Sequence, residues 1–152
     1  MILTGGCQCG AKRYRVETES PEAYYCHCRM CQKAVGNVFA AFVNVPKAAV
    51  DWATLGPDLY HSSRLAERGF CARCGTPLSF AFPDSDRMDL TIGSLDDPVA
   101  VHPSSHFGIE SRVPGWSHED GLPGKRVDDS PEIVARWEAA YGVGTRPGEI
   151  RP

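Results

Sequence analysis

A mainly β fold closed by one C-terminal helix is what this sequence predicts, and three observations predict it. Fifteen glycines and twelve prolines among 152 residues cut the chain into short pieces, which suits turns and strands better than a helical bundle. Between those breaks lie apolar or alternating runs of strand length. Only one segment, near the C-terminus, repeats apolar residues at helical spacing.

Residues 12–16 and 23–25 read as strands, the second running into Cys26. Residues 29–35 read as a short helical turn ended by Gly36, and residues 39–45 as a buried strand rich in β-branched and aromatic side chains. Further strands are expected at 58–62, 66–70, 78–82, 88–92 and 106–110. The stretch GSLDDP at 93–98 reads as a turn, and the polar segment 120–129 as a surface loop.

The helix is expected at 131–141. Ser130 suits the N-cap, Pro131 the first helical position, and Glu132 the positive end of the dipole. Ile133, Val134, Trp137 and Tyr141 share one face, and Gly142 can end the element. Residues 1–142 are expected to form a single domain, with 143–152 as a flexible tail.

The formal net charge of −3 argues against a nucleic-acid partner, which normally needs a basic face. No apolar run approaches the roughly 20 residues needed to span a bilayer. The opening MILTGGCQCG lacks the basic and apolar regions of a secretory signal. A cytoplasmic location follows as the expectation, and with it reduced thiols. Seven cysteines cannot pair completely within one chain, so metal is the better reading.

The cysteines fall in three clusters: Cys7-x-Cys9, Cys26-His27-Cys28-x-x-Cys31, and Cys71-x-x-Cys74 followed by Gly75. Two thiolates close in sequence chelate one ion only if the backbone between them turns, and Gly6, Gly10 and Gly75 permit such turns. A structural zinc takes four ligands, which the two knuckles supply as Cys7, Cys9, Cys71 and Cys74. Cys26, Cys28 and Cys31 then remain to place three thiolates around a second ion, leaving its fourth position open. An open position is the mark of a catalytic zinc.

Alternatives follow from the same residues. His27 or a distant histidine (His61, His102, His106 or His118) could close the second site, or one zinc could leave three thiols free. In an open site, a substrate thiol is deprotonated and becomes a nucleophile toward an aldehyde; alternatively the ion polarises an aldehyde or water. A non-catalytic zinc module that meets a partner protein is the competing function. A three-thiolate ion is held less tightly than a four-thiolate one, so partial occupancy of the second site is expected.

The order GGC-x-CG, CHC-x-x-C, F-C-x-x-CGTPL and GSLDDP resembles the glutathione-dependent formaldehyde-activating (GFA) family, also called the CENP-V/GFA domain. The likeness covers roughly residues 4–123 and includes His106, Ser111, Pro114–Trp116 and Gly121–Pro123. In this chain Gly115 stands between Pro114 and Trp116, where the family runs Pro directly into Trp. The resemblance implies antiparallel sheets in a β-tent (Mss-like) zinc-binding fold with two zinc ions per chain. It assigns Cys7, Cys9, Cys71 and Cys74 to the structural ion, and Cys26, Cys28 and Cys31 to the catalytic one. It implies a carbon–sulfur lyase whose partners are a small-molecule thiol, glutathione, and an aldehyde, formaldehyde. Arg29, Lys33, Arg73 and Arg112 are candidates to bind a glutathione carboxylate, and Trp116 to line the pocket.

Overall fold

The computed structural model describes residues 1–53, 55–116 and 121–145. The chain begins with β1 (Ile2–Gly6), β2 (Arg13–Glu17), β3 (Glu22–Cys26), α1 (Arg29–Val35) and β4 (Ala40–Pro46). It continues with β5 (Val50–Trp52), β6 (Asp58–His61), β7 (Glu67–Phe70), β8 (Pro77–Ala81) and β9 (Arg87–Thr91). The last elements are β10 (His106–Phe107), β11 (Gly124–Lys125) and α2 (Pro131–Tyr141). The mainly β expectation holds, and the two expected helices form over the expected residues.

The chain forms two compact units, one from Met1–Ala23 and Ala41–Pro103, the other from Tyr24–Ala40 and the chain from Ser104 onward. The first unit is antiparallel throughout. β2 lies between β1 and β5, and β4, β9, β8, β7 and β6 follow one another as antiparallel neighbours. In β2 the residues alternate in and out, with Tyr14 and Val16 buried between Arg13, Arg15 and Glu17, the period of a half-buried strand. Val16, Val43, Val45, Leu78 and Leu90 are fully buried. At roughly 1.5–3 kcal/mol per buried aliphatic side chain, they anchor this unit.

The segment GSLDDP does more than turn. It runs from one 3-10 turn, Ile92–Ser94, into the start of another, Pro98–Ala100, and fixes β1 and β2. The Asp96 amide donates to the Thr4 carbonyl at 2.9 Å. The Arg13 guanidinium grips Asp96 with both terminal nitrogens, Nη1 at 2.9 Å, and holds its carboxyl below the usual range. Buried Tyr14 shares a 2.7 Å hydrogen bond with Ser94.

In the second unit β10 pairs in parallel with both β3 and β11, a local departure from the antiparallel rule. The strand expected at 106–110 stops after two residues because Gly108 turns left-handed at φ 69 and a 3-10 turn, Ile109–Ser111, follows. The segment expected to be a surface loop contains β11, and its Val127 is buried, with its amide donating to the Glu110 carboxylate. Helix α2 buries Trp137, which packs on Tyr141 at 4.7 Å between centroids. Ser130 serves its N-terminus with the backbone carbonyl, accepting from Ile133 and Val134, while its side chain makes no capping bond. The expected tail lies outside the described residues beyond Thr145.

Gly5 tests how closely this packing is drawn. A Cβ there would run into the Ser94 carbonyl and the Tyr14 hydroxyl, whereas Gly93 has open space. Gly5→Ala is expected to destabilise by about 1–3 kcal/mol and Gly93→Ala by no more than about 0.5 kcal/mol, as read from urea unfolding midpoints.

Candidate metal centres

Two groups of thiols converge. The Sγ atoms of Cys7, Cys9, Cys71 and Cys74 all lie within 4.8 Å of one another, and so do those of Cys26, Cys28 and Cys31. None of the seven is in a disulfide. The Cys7 and Cys9 sulfurs lie 3.5 Å apart, Cys9 and Cys71 3.8 Å, and Cys26 and Cys28 3.5 Å. Around a tetrahedral ion with bonds of about 2.3 Å, sulfurs sit roughly 3.8 Å apart. Donor type and spacing therefore fit a thiophilic ion, and each group can hold one.

The four-cysteine group is built from two matching turns. The Cys7 amide donates to the Lys12 carbonyl and the Cys71 amide to the Thr76 carbonyl, while the Gly10 and Gly75 amides donate back to Cys7 and Cys71. Gly10 and Gly75 both have positive φ, 75 and 76, which only glycine adopts without strain. Asp58 ties the two turns together, accepting from the Ala72 amide at 2.8 Å and pairing with Lys12 at 3.5 Å.

Hydrogen bonds tune these sulfurs. The Thr76 hydroxyl and then the Thr76 and Cys9 amides bring the Cys74 thiol down to about 5. Burial opposes ionisation of Cys7, but the Lys12 amide, donating to its sulfur at 3.2 Å, helps to lower it overall. Cys9 is favoured by the Ala11 amide, yet burial and the neighbouring sulfurs leave it raised to about 11.

The three-cysteine group sits where a strand becomes a helix. Cys26 ends β3, Cys28 is the N-cap of α1 and accepts from the Cys31 amide at 3.4 Å, and Cys31 lies in the first turn. Cys26 and Cys31 are buried; Cys28 is half-buried. Contact with the Cys28 sulfur, then with Cys31, together with burial, holds the Cys26 thiol well above its usual value. Cys28 is favoured by its bond to Cys26, but Cys31 and burial push it up to about 12.

His27 does not turn back toward the sulfurs flanking it. Its ring bonds to His106 at 2.8 Å, and both rings are buried. Among the described residues neither metal-capable group includes a histidine. His61 and His102 are exposed, and His118 lies outside the described residues. The backbone on either side of the His27 ring is clamped as well. Its amide donates to the Phe107 carbonyl at 2.8 Å, and its carbonyl accepts from Gln32 at 2.7 Å.

Gln32 and Gly108 are the supports that sequence reasoning missed. The amide of buried Gln32 also donates to the Ser111 carbonyl at 2.9 Å. A Cβ on Gly108 would lie 2.8 Å from the Cys28 amide nitrogen. The Cys-His-Cys spacing is a signal for ligands, whereas these contacts join residues nearly eighty positions apart. Of the candidate substrate contacts, Arg29, Lys33 and Trp116 line one groove. Arg73 lies between Cys71 and Cys74 in the other unit. The Arg112 Nε is buried with no hydrogen-bond partner.

The family model described as glutathione-dependent formaldehyde-activating enzyme matches residues 2–111. A Schizosaccharomyces pombe protein called an uncharacterized lyase is 37% identical over 78 residues, which is 51% of this chain and 56% of that protein. A Halomonas elongata protein, provisionally named a glutathione-dependent formaldehyde-activating enzyme, is 27% identical over 94% of this chain and 98% of its own length. The crystal structure of a Rhodobacter sphaeroides protein shares the fold, with a TM-score of 0.51 at 18% identity over 80% of this chain and 99% of that one. Among the described residues no helix is long and apolar enough to cross a membrane.

Ligation requires thiolates, so protons compete with the metal. Raised thiols compete at higher pH; the three-cysteine group has two of them, Cys26 and Cys28, whereas in the four-cysteine group raised Cys9 is offset by two lowered sulfurs. On acidification the three-cysteine group is expected to release its ion first, while the group containing the lowered Cys7 and Cys74 retains its own to lower pH. Metal release to a chromophoric chelator across a pH series will show two steps in that order. Gly108→Ala is expected to shift the visible absorption of the cobalt-substituted three-cysteine group and weaken its metal affinity about tenfold or more, leaving the four-cysteine spectrum in place.

Proposed function

This chain belongs to the glutathione-dependent formaldehyde-activating enzyme family, and from that membership we propose that it is a zinc-dependent carbon–sulfur lyase acting on the adduct of a thiol and an aldehyde. Glutathione is the thiol and S-hydroxymethylglutathione the adduct that the relatives' names support. Cys7, Cys9, Cys71 and Cys74 hold a structural zinc in this reading, and Cys26, Cys28 and Cys31 the catalytic one.

The observation that carries the proposal is the convergence of three sulfurs where β3 meets α1, with no fourth metal-binding side chain joining them among the described residues. Cys26, Cys28 and Cys31 would hold the zinc ion, whose positive charge would favour the thiolate form of a substrate thiol. Half-buried Cys28, between two buried partners, marks the side from which a small molecule approaches. In the forward reaction the thiol sulfur bonds to the aldehyde carbon, the carbonyl π bond opens, and the thiol proton ends on the new hydroxyl oxygen. Lyase action is the reverse, breaking the carbon–sulfur bond and returning the proton to sulfur. Gln32 and Gly108 keep the cysteine loop fixed throughout, so the sulfurs need not reorganise.

Aldehyde consumption with and without glutathione tests this reading, alongside metal content. Cys28→Ser is expected to lower turnover at least a hundredfold with an unchanged circular dichroism spectrum, whereas Cys74→Ser costs the fold, since structural zinc contributes on the order of 10 kcal/mol. Equal turnover by wild type and Cys28→Ser would sink the catalytic assignment. Loss of both ions only on unfolding would point instead to a non-catalytic zinc module.

A further inference from the structure

We propose that the groove beside α1 is an anion subsite for a carboxylate of the substrate thiol, with Arg29 as its main contact, Lys33 as a second cation and Gln32 as the residue that positions Arg29. This deepens the thiol–aldehyde reading above and rests on it. The groove is open to solvent, has a volume of about 410 Å3 and is lined by Arg29, Gln32, Lys33, Asn37 and Trp116 among others, a size within the range of small-molecule sites. Two cations line it, and no described lining residue is acidic, in a chain whose net charge is −3.

The dipole of α1 favours Lys33, in its last turn, but not Arg29. Arg29 lies in the first turn, where no acidic residue sits and where the helix dipole disfavours positive charge. Lys33 follows four positions later on the same face, so the two repel. Local conflicts of this kind in an otherwise consistent sequence mark functional positions.

Gln32 fixes the guanidinium. Its carbonyl oxygen accepts from Arg29 Nη1, while its amide is held by the His27 and Ser111 carbonyls. Only 3% of Gln32 is exposed, so Arg29 is oriented by a side chain that cannot swing away. An arginine held in this way presents its remaining donors to a carboxylate at little entropic cost. Trp116, 70% exposed despite its size, offers an apolar wall for the ligand's stem.

The reach is consistent with a peptide thiol. Gln32 follows Cys31 directly, and one helical turn advances about 5.4 Å. An extended peptide covers roughly 3.3–3.6 Å per residue, so a carboxylate one or two units from the thiol spans from the cysteines to the groove. Glutathione carries a carboxylate on either side of its cysteine.

S-methylglutathione isolates the subsite, because its blocked sulfur can neither react nor deprotonate. Calorimetric titration of zinc-loaded protein is expected to show this ligand binding about tenfold or more tightly than its diethyl ester, as a charge-assisted hydrogen bond implies. In Arg29→Met and Lys33→Met that preference should shrink, most in Arg29→Met, and Gln32→Leu should reduce it too. Arg15→Met, on β2 in the other unit, should keep it. Equal binding of acid and ester by wild type, an undiminished preference in Arg29→Met, or no binding of S-methylglutathione overturns the subsite. Turnover of glutathione with formaldehyde is measured separately on wild type, so an active enzyme that fails the titration refutes the subsite and leaves the lyase reading standing.

Discussion

Gathered thiols are the constraint to which the rest of this structure answers. Two thiolates 3.5 Å apart, the Cys26–Cys28 separation, repel by roughly 5 kcal/mol at an effective dielectric of about 20. Without a cation the buried group can relieve that repulsion only by keeping its protons, and the raised Cys26 and Cys28 thiols do so. A divalent ion bound there would replace those protons and turn repulsion into cohesion. The fold must therefore hold the sulfurs close before any ion arrives, against a force that would part them.

The two groups meet this demand differently. Backbone amides and a hydroxyl surround the four-cysteine group, and the carboxylate of Asp58 joins its two turns. Those donors favour thiolate at Cys7 and Cys74, so the site is suited to permanent ligation. The three-cysteine group has fewer such donors and more burial. Its shape is imposed instead by Gln32, the Phe107 carbonyl and the bare backbone of Gly108. Raised thiols at Cys26 and Cys28 and one fewer sulfur set it apart from the four-cysteine group.

The paired histidines follow from the same arrangement. With His27 between two sulfur ligands, the chain direction throws its ring to the opposite side, where it bonds to His106 and packs beside Phe39. A Cys-His-Cys motif reads as three donors in a row, but alternation along an extended backbone separates them into two sulfurs on one side and an imidazole on the other.

Residue type and spacing by themselves determined the cysteine grouping, the two helices and most strands, because chelation, helical periodicity and turn chemistry are local. Gly36 ends α1 and Gly142 ends α2 as their positions predict. The short β1 and β5 were not legible: Ile2–Gly6 ends in two glycines and Val50–Trp52 is only three residues long, so each is a strand only by virtue of its neighbour β2. Likewise the two-residue β10 exists because β3 and β11 flank it. Tertiary structure alone decided which side His27 faces, that Gln32 is buried beneath the metal loop, and that Arg29 and Lys33 share a groove with Trp116 while Arg73 belongs elsewhere. Those outcomes depend on contacts between residues far apart in the chain, and no local pattern encodes them.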